Sequence, residues 1–383
     1  VATTERFPVC GFVATGFERV REAFEENFRT CGEVGASVHV TVQGLPVVDL
    51  WGGAADRAAT RAWEADTLVN VWSTTKGWLA LAMHMLADRG LLDLDSAVAR
   101  YWPAFAQHGK GGVLVRHLLT HTAGLPGPSM RLPREALYDW SRMVHAFEQS
   151  ELFWSPGTQC GYHAGSFGWL NGELLRRITG KSVGTFIRAE IAEPLGADVH
   201  VGLSERDLVR TAETIPPVIR GTTILGRLNL SVGRVRLAAL NNPPRPAKAA
   251  NTRQWREAEI PSSNGHASAR GLARVYTALA LSGALGGVRV LSTGAVERAA
   301  HEQIRERDVV LGVPVRRTLG FVLADPDEPR PASAFGHSGM GGSIGFADRE
   351  HQLAMGYVMN RMVVSPDVRW TNLCRAVYDC AVP

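Results

Sequence analysis

A chain of 383 residues, 45% apolar and 20% charged, can build one large soluble domain or two subdomains around a sizeable core. Its formal net charge of +4 comes from scattered arginines without a basic tract, which argues against a nucleic-acid partner. Five widely spaced cysteines (Cys10, Cys31, Cys160, Cys374, Cys380) form no Cys-x-x-Cys pair, so zinc ribbons, redox dithiols and a disulfide framework lack support and a reducing, cytoplasmic setting is expected.

Residues 1–16 lack the basic and then apolar pattern of a secretory leader, and no 18-residue apolar run predicts a membrane span. Residues 17–28 carry charged and aromatic side chains at helical spacing, with Cys31-Gly32 as a stop. Residues 35–42 and 46–51 are rich in β-branched residues, and Gln43-Gly44-Leu45 between them predicts a hairpin. A polar stretch, 52–66, leads to a helix starting near Ser73 that is apolar on nearly every face and stops at Gly90. Short helices are expected from 93–96 and over 115–120. Longer ones are expected over 137–150, 167–179, 183–193 and 267–282. Residues 213–263 are proline-rich and weakly periodic, which predicts either a lid over a binding site or a solvated insertion. Strand patterns return over 319–323, 342–347 and 352–359, with a hairpin at 348–351, and 366–380 reads as a closing helix.

An isolated hairpin is marginal, so the N-terminal strands must pair with the C-terminal ones. The predicted class is α+β. Residues 1–72 and 284–383 build an antiparallel sheet flanked by terminal helices, residues 73–283 form a mainly helical subdomain, and the site lies in the cleft between them.

The chemistry starts at Ser73-Thr74-Thr75-Lys76. If a helix begins at Ser73, Lys76 stands on the same face, and a partly desolvated lysine can act as base toward a serine hydroxyl. Ser-x-x-Lys also occurs by chance. Here only four of the 41 basic residues are lysines (Lys76, Lys110, Lys181, Lys248), and only Lys76 has a serine three positions before it. Arginine cannot deprotonate in a protein, so a lysine in an arginine-rich chain suits acid–base work.

Two further stretches complete a pattern: Cys160-Gly161-Tyr162-His163-Ala164-Gly165 and Phe335-Gly336-His337-Ser338-Gly339-Met340-Gly341-Gly342. With Ser73-x-x-Lys76 they resemble the three motifs of the serine β-lactamase and penicillin-binding superfamily. The group resembled is the class C β-lactamase-like one, with its DD-peptidases, family VIII carboxylesterases and transacylases. His117-Leu118-Leu119-Thr120-His121-Thr122 and Trp154-Ser155-Pro156-Gly157 agree with that group, and the resemblance runs from about residue 17 to 380. It implies an acylated Ser73, a Lys76 that shares its proton, Tyr162 as base or proton relay, and an oxyanion hole from the Ser73 and Met340 N–H groups. His337, Ser338, Gly339, Ala164 and His163 would face substrate. Neither metal nor cofactor is implied.

The chain departs from the penicillin-active pattern at two points. Ala164 replaces the usual Asn two residues after the tyrosine, and His337-Ser338-Gly339 replaces Lys-Thr-Gly, making a fixed cation conditional on the charge of His337. Both favour the esterase-like branch. The expectation is a serine esterase acting on a small-molecule carboxylic ester, with no nucleic-acid or membrane partner. The alternative is a transacylase that passes the acyl group to an amine or alcohol of a small natural product. A DD-peptidase or β-lactamase ranks below both, and a ligand-binding module of the same fold is disfavoured by the intact Ser73, Lys76 and Tyr162. Ala164-Gly165-Ser166-Phe167-Gly168 nearly spells a nucleophile elbow, but turn residues precede it where a strand is needed. His117 and His121 lack a third metal ligand, so a structural role is expected, and the glycine run 339–345 feeds a strand, which argues against phosphate binding.

Overall fold

The computed structural model describes residues 6–217, 233–363 and 367–382. The chain opens with β1 (Cys10–Val13), α1 (Glu18–Thr30), β2 (Gly35–Val42) and β3 (Leu45–Gly53). Gln43 and Gly44 both take positive φ, 52° and 80°, as a two-residue hairpin turn requires, and Val42 pairs directly with Leu45. The helical pattern of 17–28 buries Val20, Phe24 and Phe28 against this sheet.

β4 (Val69–Trp72) leads into α2 (Thr75–Asp88), whose residues from Thr75 to Leu86 are all buried. That follows from a helix without a polar face. α3 (Trp140–Glu148) is capped by Asp139, which accepts from the Arg142 N–H. α4 (Ser166–Thr179) packs on α2 and ends at Gly180 in the left-handed conformation. The helix expected from 93–96 is replaced by short 3₁₀ turns, because the Asp93 carboxylate accepts from Asp95 N–H and Ser96 O–H and closes the chain locally.

β5 (Val199–Val201) and β6 (Gly265–Ala267) join β4 in a small sheet of order β4-β6-β5. α5 (Ala269–Ala280) follows, then the hairpin β7 (Ala284–Leu285) and β8 (Val288–Arg289). The remaining strands are β9 (Ile304–Arg307), β10 (Pro314–Arg317), β11 (Val322–Leu323), β12 (Phe335–Ser338), β13 (Ile344–Asp348) and β14 (Leu353–Met359), and α6 (Arg369–Ala381) closes the chain. The main sheet is antiparallel, in the order β1-β3-β2-β14-β13-β12-β11-β10-β9. Tyr357 of β14 sits opposite Val38 of β2, so the two ends of the chain do pair at its centre.

α1 and α6 cover one face of this sheet over Val38, Leu50, Phe346 and Met355. α5 covers the other face, packed on β13, β14 and β2. This corrects the grouping read from sequence, which placed 267–282 with the helical residues 73–283. α5 presents a continuous apolar side, including Leu272, Tyr276 and Leu279, and packs it on the sheet face that α1 and α6 leave open. The β9–β10 hairpin was not anticipated either: Ile304-Arg305-Glu306-Arg307 carries too little apolar signal to read as a strand. The proposed lid, 213–263, falls partly on residues 218–232, outside the described residues. Of the rest, Leu240, Arg245 and Ser263 border the cleft. No described helix is long and apolar enough to cross a membrane.

Candidate active site

Ser73 stands where β4 turns into α2. The turn is made by Trp72 at φ 50°, a backbone region costly for a bulky residue. Trp72 is held there by packing on the Trp255 ring at 5.5 Å and by a hydrogen bond from the Thr75 hydroxyl to its carbonyl. The half-buried Ser73 Oγ thus faces the cleft, while Lys76, one turn on, is fully buried. Lys76 Nζ lies 3.0 Å from Ser73 Oγ and donates to the Ser262 carbonyl at 2.9 Å. Tyr162 Oη donates to the same Ser73 Oγ at 2.8 Å. Burial, and then the positive charges of Arg245 and Arg317, hold the Lys76 amine well below its ordinary value. Burial raises the Tyr162 phenol. The serine therefore meets a lysine whose neutral form is favoured by its surroundings and a tyrosine whose protonated form is favoured by burial.

Tyr162 is fixed by groups remote in sequence. Its N–H donates to Asp308 Oδ1 at 3.0 Å, which also takes the Val310 and Leu311 N–H groups at 2.8 and 2.9 Å. Asp308 Oδ2 accepts from Arg317 at 2.9 Å, and that guanidinium lies 5.2 Å from the Tyr162 ring centroid. Beneath the ring, His121 packs at 5.2 Å and accepts from the His163 N–H at 3.0 Å. His163 was expected to face substrate, but it is fully buried under the tyrosine and takes no part in the cavity wall. Its Nδ1–H donates to the Gly161 carbonyl at 2.6 Å, and burial pushes its pKa down to about 4. The reason is local: consecutive side chains of an extended loop point to opposite sides, and Tyr162 takes the open one.

The opposite wall is β12 and the turn after it. Gly339 packs so closely on the start of α2 that a Cβ there would lie 2.1 Å from the Val71 carbonyl oxygen. Ser343 Oγ donates to the same carbonyl at 2.9 Å and meets Thr74 Oγ1 at 3.1 Å, which ties the turn beside Ser73. The Met340 N–H on this turn makes no hydrogen bond among the described residues. His337 is buried, its Nδ1–H donates to the Ser338 carbonyl at 2.7 Å, and burial together with the charge at Lys76 pushes its pKa down to about 3. Burial therefore favours the neutral imidazole at the position where a conditional cation was expected.

Ser73, Tyr162, Ala164, His337, Ser338, Gly339 and Met340 all border one cavity of about 700 Å³. Leu240, Leu311, Val313, Val315 and Trp370 supply much of the remaining wall, so it is chiefly apolar. A cavity of that size takes a small organic molecule.

A family model described as Beta-lactamase matches residues 20–376. The chain belongs to the beta-lactamase family. Among curated relatives of this family member, "Esterase/beta-lactamase LipL" of Mycobacterium tuberculosis (strain ATCC 25618 / H37Rv) is 37% identical over 372 residues, covering 93% of this chain and 83% of that one. Among solved structures, a family VIII carboxylesterase superposes with a TM-score of 0.91 at 42% identity, covering 97% of this chain and 99% of that one. A penicillin-binding protein homologue from Caulobacter crescentus superposes with a TM-score of 0.89 at 36% identity, with the same coverage. The chain is thus a serine hydrolase of the esterase/beta-lactamase type, with the α+β fold of that family.

Several residues of this beta-lactamase-family site escaped the sequence reading. Ser262 lies in the stretch Pro261-Ser262-Ser263-Asn264-Gly265, where turn chemistry was the only signal, yet its carbonyl anchors Lys76. Arg245, Asp308 and Arg317 carried no local signal at all. Ser166 donates to the Pro126 carbonyl at 2.9 Å inside the protein, and His117 accepts from the Leu114 N–H at 3.1 Å, so both serve the fold.

Proposed function

We propose that the protein is a carboxylesterase that works through an acyl-Ser73 intermediate. One observation carries this reading: a single serine oxygen lies within hydrogen-bond reach of both a buried lysine and a half-buried tyrosine, at 3.0 and 2.8 Å, in a mainly apolar cavity. The names of its relatives, an esterase/beta-lactamase and a family VIII carboxylesterase, support the same choice.

In this mechanism Ser73 Oγ attacks the ester carbonyl as its proton passes to the Lys76 amine. The carbonyl oxygen becomes an oxyanion that the Ser73 and Met340 N–H groups receive. When the carbon–oxygen bond of the ester breaks, Tyr162 gives its proton to the leaving alkoxide and is reprotonated from Lys76, which returns to the neutral amine. Water then attacks the acyl-enzyme. Its proton returns through Tyr162 and Lys76 to Ser73 Oγ as the carboxylic acid departs. An alcohol or amine in place of water would give acyl transfer from the same intermediate.

Rapid mixing with p-nitrophenyl butyrate, followed by intact-mass detection, tests the reading. A gain of one butyryl group on Ser73 is expected on the time scale of the first turnover. Hydrolysis without a Ser73 adduct, under conditions that trap acyl-enzymes, would exclude the covalent route. Adding a panel of alcohols and amines to the same assay reads the choice of acceptor.

The pH dependence has a defined sign. A base must be deprotonated, so kcat/KM rises with pH through a value well below 10.5, set by Lys76, and falls again only above 10 as Tyr162 ionises. His337, at about 3, contributes no limb between pH 5 and 9. The acid limb should persist in His337→Asn; its disappearance would assign the titration to the imidazole.

A further inference from the structure

Among the described residues, three arginines line the cavity beside Ser73, and their charges are not balanced alike. Arg317 is paired with Asp308 at 2.9 Å, and Arg330 with Glu328 at 2.5 Å. Arg245 has no carboxylate within ion-pair distance among the described residues, and residues 218–232 contain no Asp or Glu. Among the described residues its guanidinium donates hydrogen bonds only to main-chain carbonyls, Ala239 at 2.9 Å and Pro243 at 3.4 Å. It is placed at the reacting centre: Nη1 lies 2.4 Å from where a Cβ on Gly165 would stand, and Gly165 follows the Tyr162 loop and accepts from Ser262. A guanidinium taken partly out of water without an anion is costly, and an anionic group entering the cavity would supply the missing partner. Its planar fork matches a carboxylate with two parallel hydrogen bonds.

We propose that Arg245 is an anion-binding subsite and that the preferred esters carry a carboxylate, either on the acyl or on the alcohol part. This rests on the esterase reading above. It adds a charge requirement that a neutral His337 does not meet and that the apolar wall does not predict. A rival role must be separated from it: Arg245 also lies close enough to disfavour the charged form of Lys76. Acting only through Lys76, it would affect every ester equally and shift the pH profile. Acting on a substrate anion, it would change the ratio between charged and neutral esters.

The experiment measures kcat/KM for mono-p-nitrophenyl glutarate against p-nitrophenyl valerate, and for 4-butyryloxybenzoate against phenyl butyrate. At least one anionic ester should be preferred by about tenfold or more, after correction for the intrinsic reactivity of each pair in hydroxide. In Arg245→Gln that ratio should fall to about one, whereas Arg245→Lys should keep part of it. A second measurement does not depend on hydrolysis. Calorimetric binding of monomethyl glutarate to Ser73→Ala should weaken by about tenfold or more when Arg245→Gln is added. No anionic preference in either pair, or a preference or affinity unchanged by Arg245→Gln, would overturn the proposal. The calorimetry answers even if Ser73→Ala keeps full activity, which would count against the esterase mechanism alone.

Discussion

Ser73→Ala is expected to lower kcat for p-nitrophenyl butyrate by at least about 10⁴-fold while leaving thermal stability near that of the parent, the scale seen when a nucleophile is removed from an acyl-transfer site. The two halves of this expectation have separate origins. Ser73 Oγ is the point at which Lys76 and Tyr162 converge, so its loss leaves both without a reacting partner. The fold does not depend on that oxygen. Its contacts are those two side chains, and Lys76 keeps its bond to the Ser262 carbonyl. Lys76→Met should be nearly as damaging to turnover, and the double variant Ser73→Ala/Lys76→Met no worse than the more damaged single one, because groups acting as one unit are not additive. Steady-state kinetics and circular dichroism on the three variants decide it. A Ser73→Ala protein that is folded and retains a tenth of parental kcat would dismiss Ser73 as nucleophile.

The largest effect on stability is expected at a site read from no motif. Arg369 is almost fully buried at the start of α6, where it pairs with Glu33 at 2.8 Å and with Asp367 at 2.6 Å. Glu33 is itself buried and also accepts from the Tyr357 hydroxyl. Burial raises the Glu33 carboxyl, and the Arg369 charge and the tyrosine hydroxyl oppose that rise. Arg369→Met removes the cation and leaves a buried carboxylate uncompensated, which typically costs about 3–5 kcal/mol. The midpoint of chemical unfolding should fall accordingly. Adding Glu33→Gln should restore part of the loss, since the second change removes the stranded charge. An Arg369→Met protein as stable as the parent would show that this buried network does not contribute to stability. Arg369 Nη2 also donates to the Gly341 carbonyl at 2.8 Å, on the turn that carries Met340. Losing that bond loosens the turn, so kcat should drop in the same variant at temperatures where it remains folded.

The sequence was most legible where function follows local spacing. Ser73 and Lys76 are three residues apart on one helix, and the structure brings their side chains to 3.0 Å. The hairpin at Gln43-Gly44 and the buried α2 were equally readable, because turn chemistry and the lack of a polar face are properties of adjacent residues. Tyr162, His337, Gly339 and Met340 could be singled out only through their company, since nothing near them shows what they face. Sequence by itself thus determined the α+β class and the pairing of the two ends of the chain, and it singled out Ser73, Lys76 and Tyr162, the latter two within hydrogen-bond reach of Ser73 Oγ in the fold. The tertiary structure alone decided the rest. Protonation depends on burial, so only the packed site shows His337 held neutral and Lys76 held below its ordinary value. Position depends on partners far along the chain: Asp308 fixes Tyr162 across 146 residues, and α5 leaves the helical half to cover the sheet. Charge balance depends on which side chains converge, and that is why an arginine without a carboxylate partner among the described residues, at position 245, became visible only once Asp308 and Glu328 were seen to be taken by other arginines.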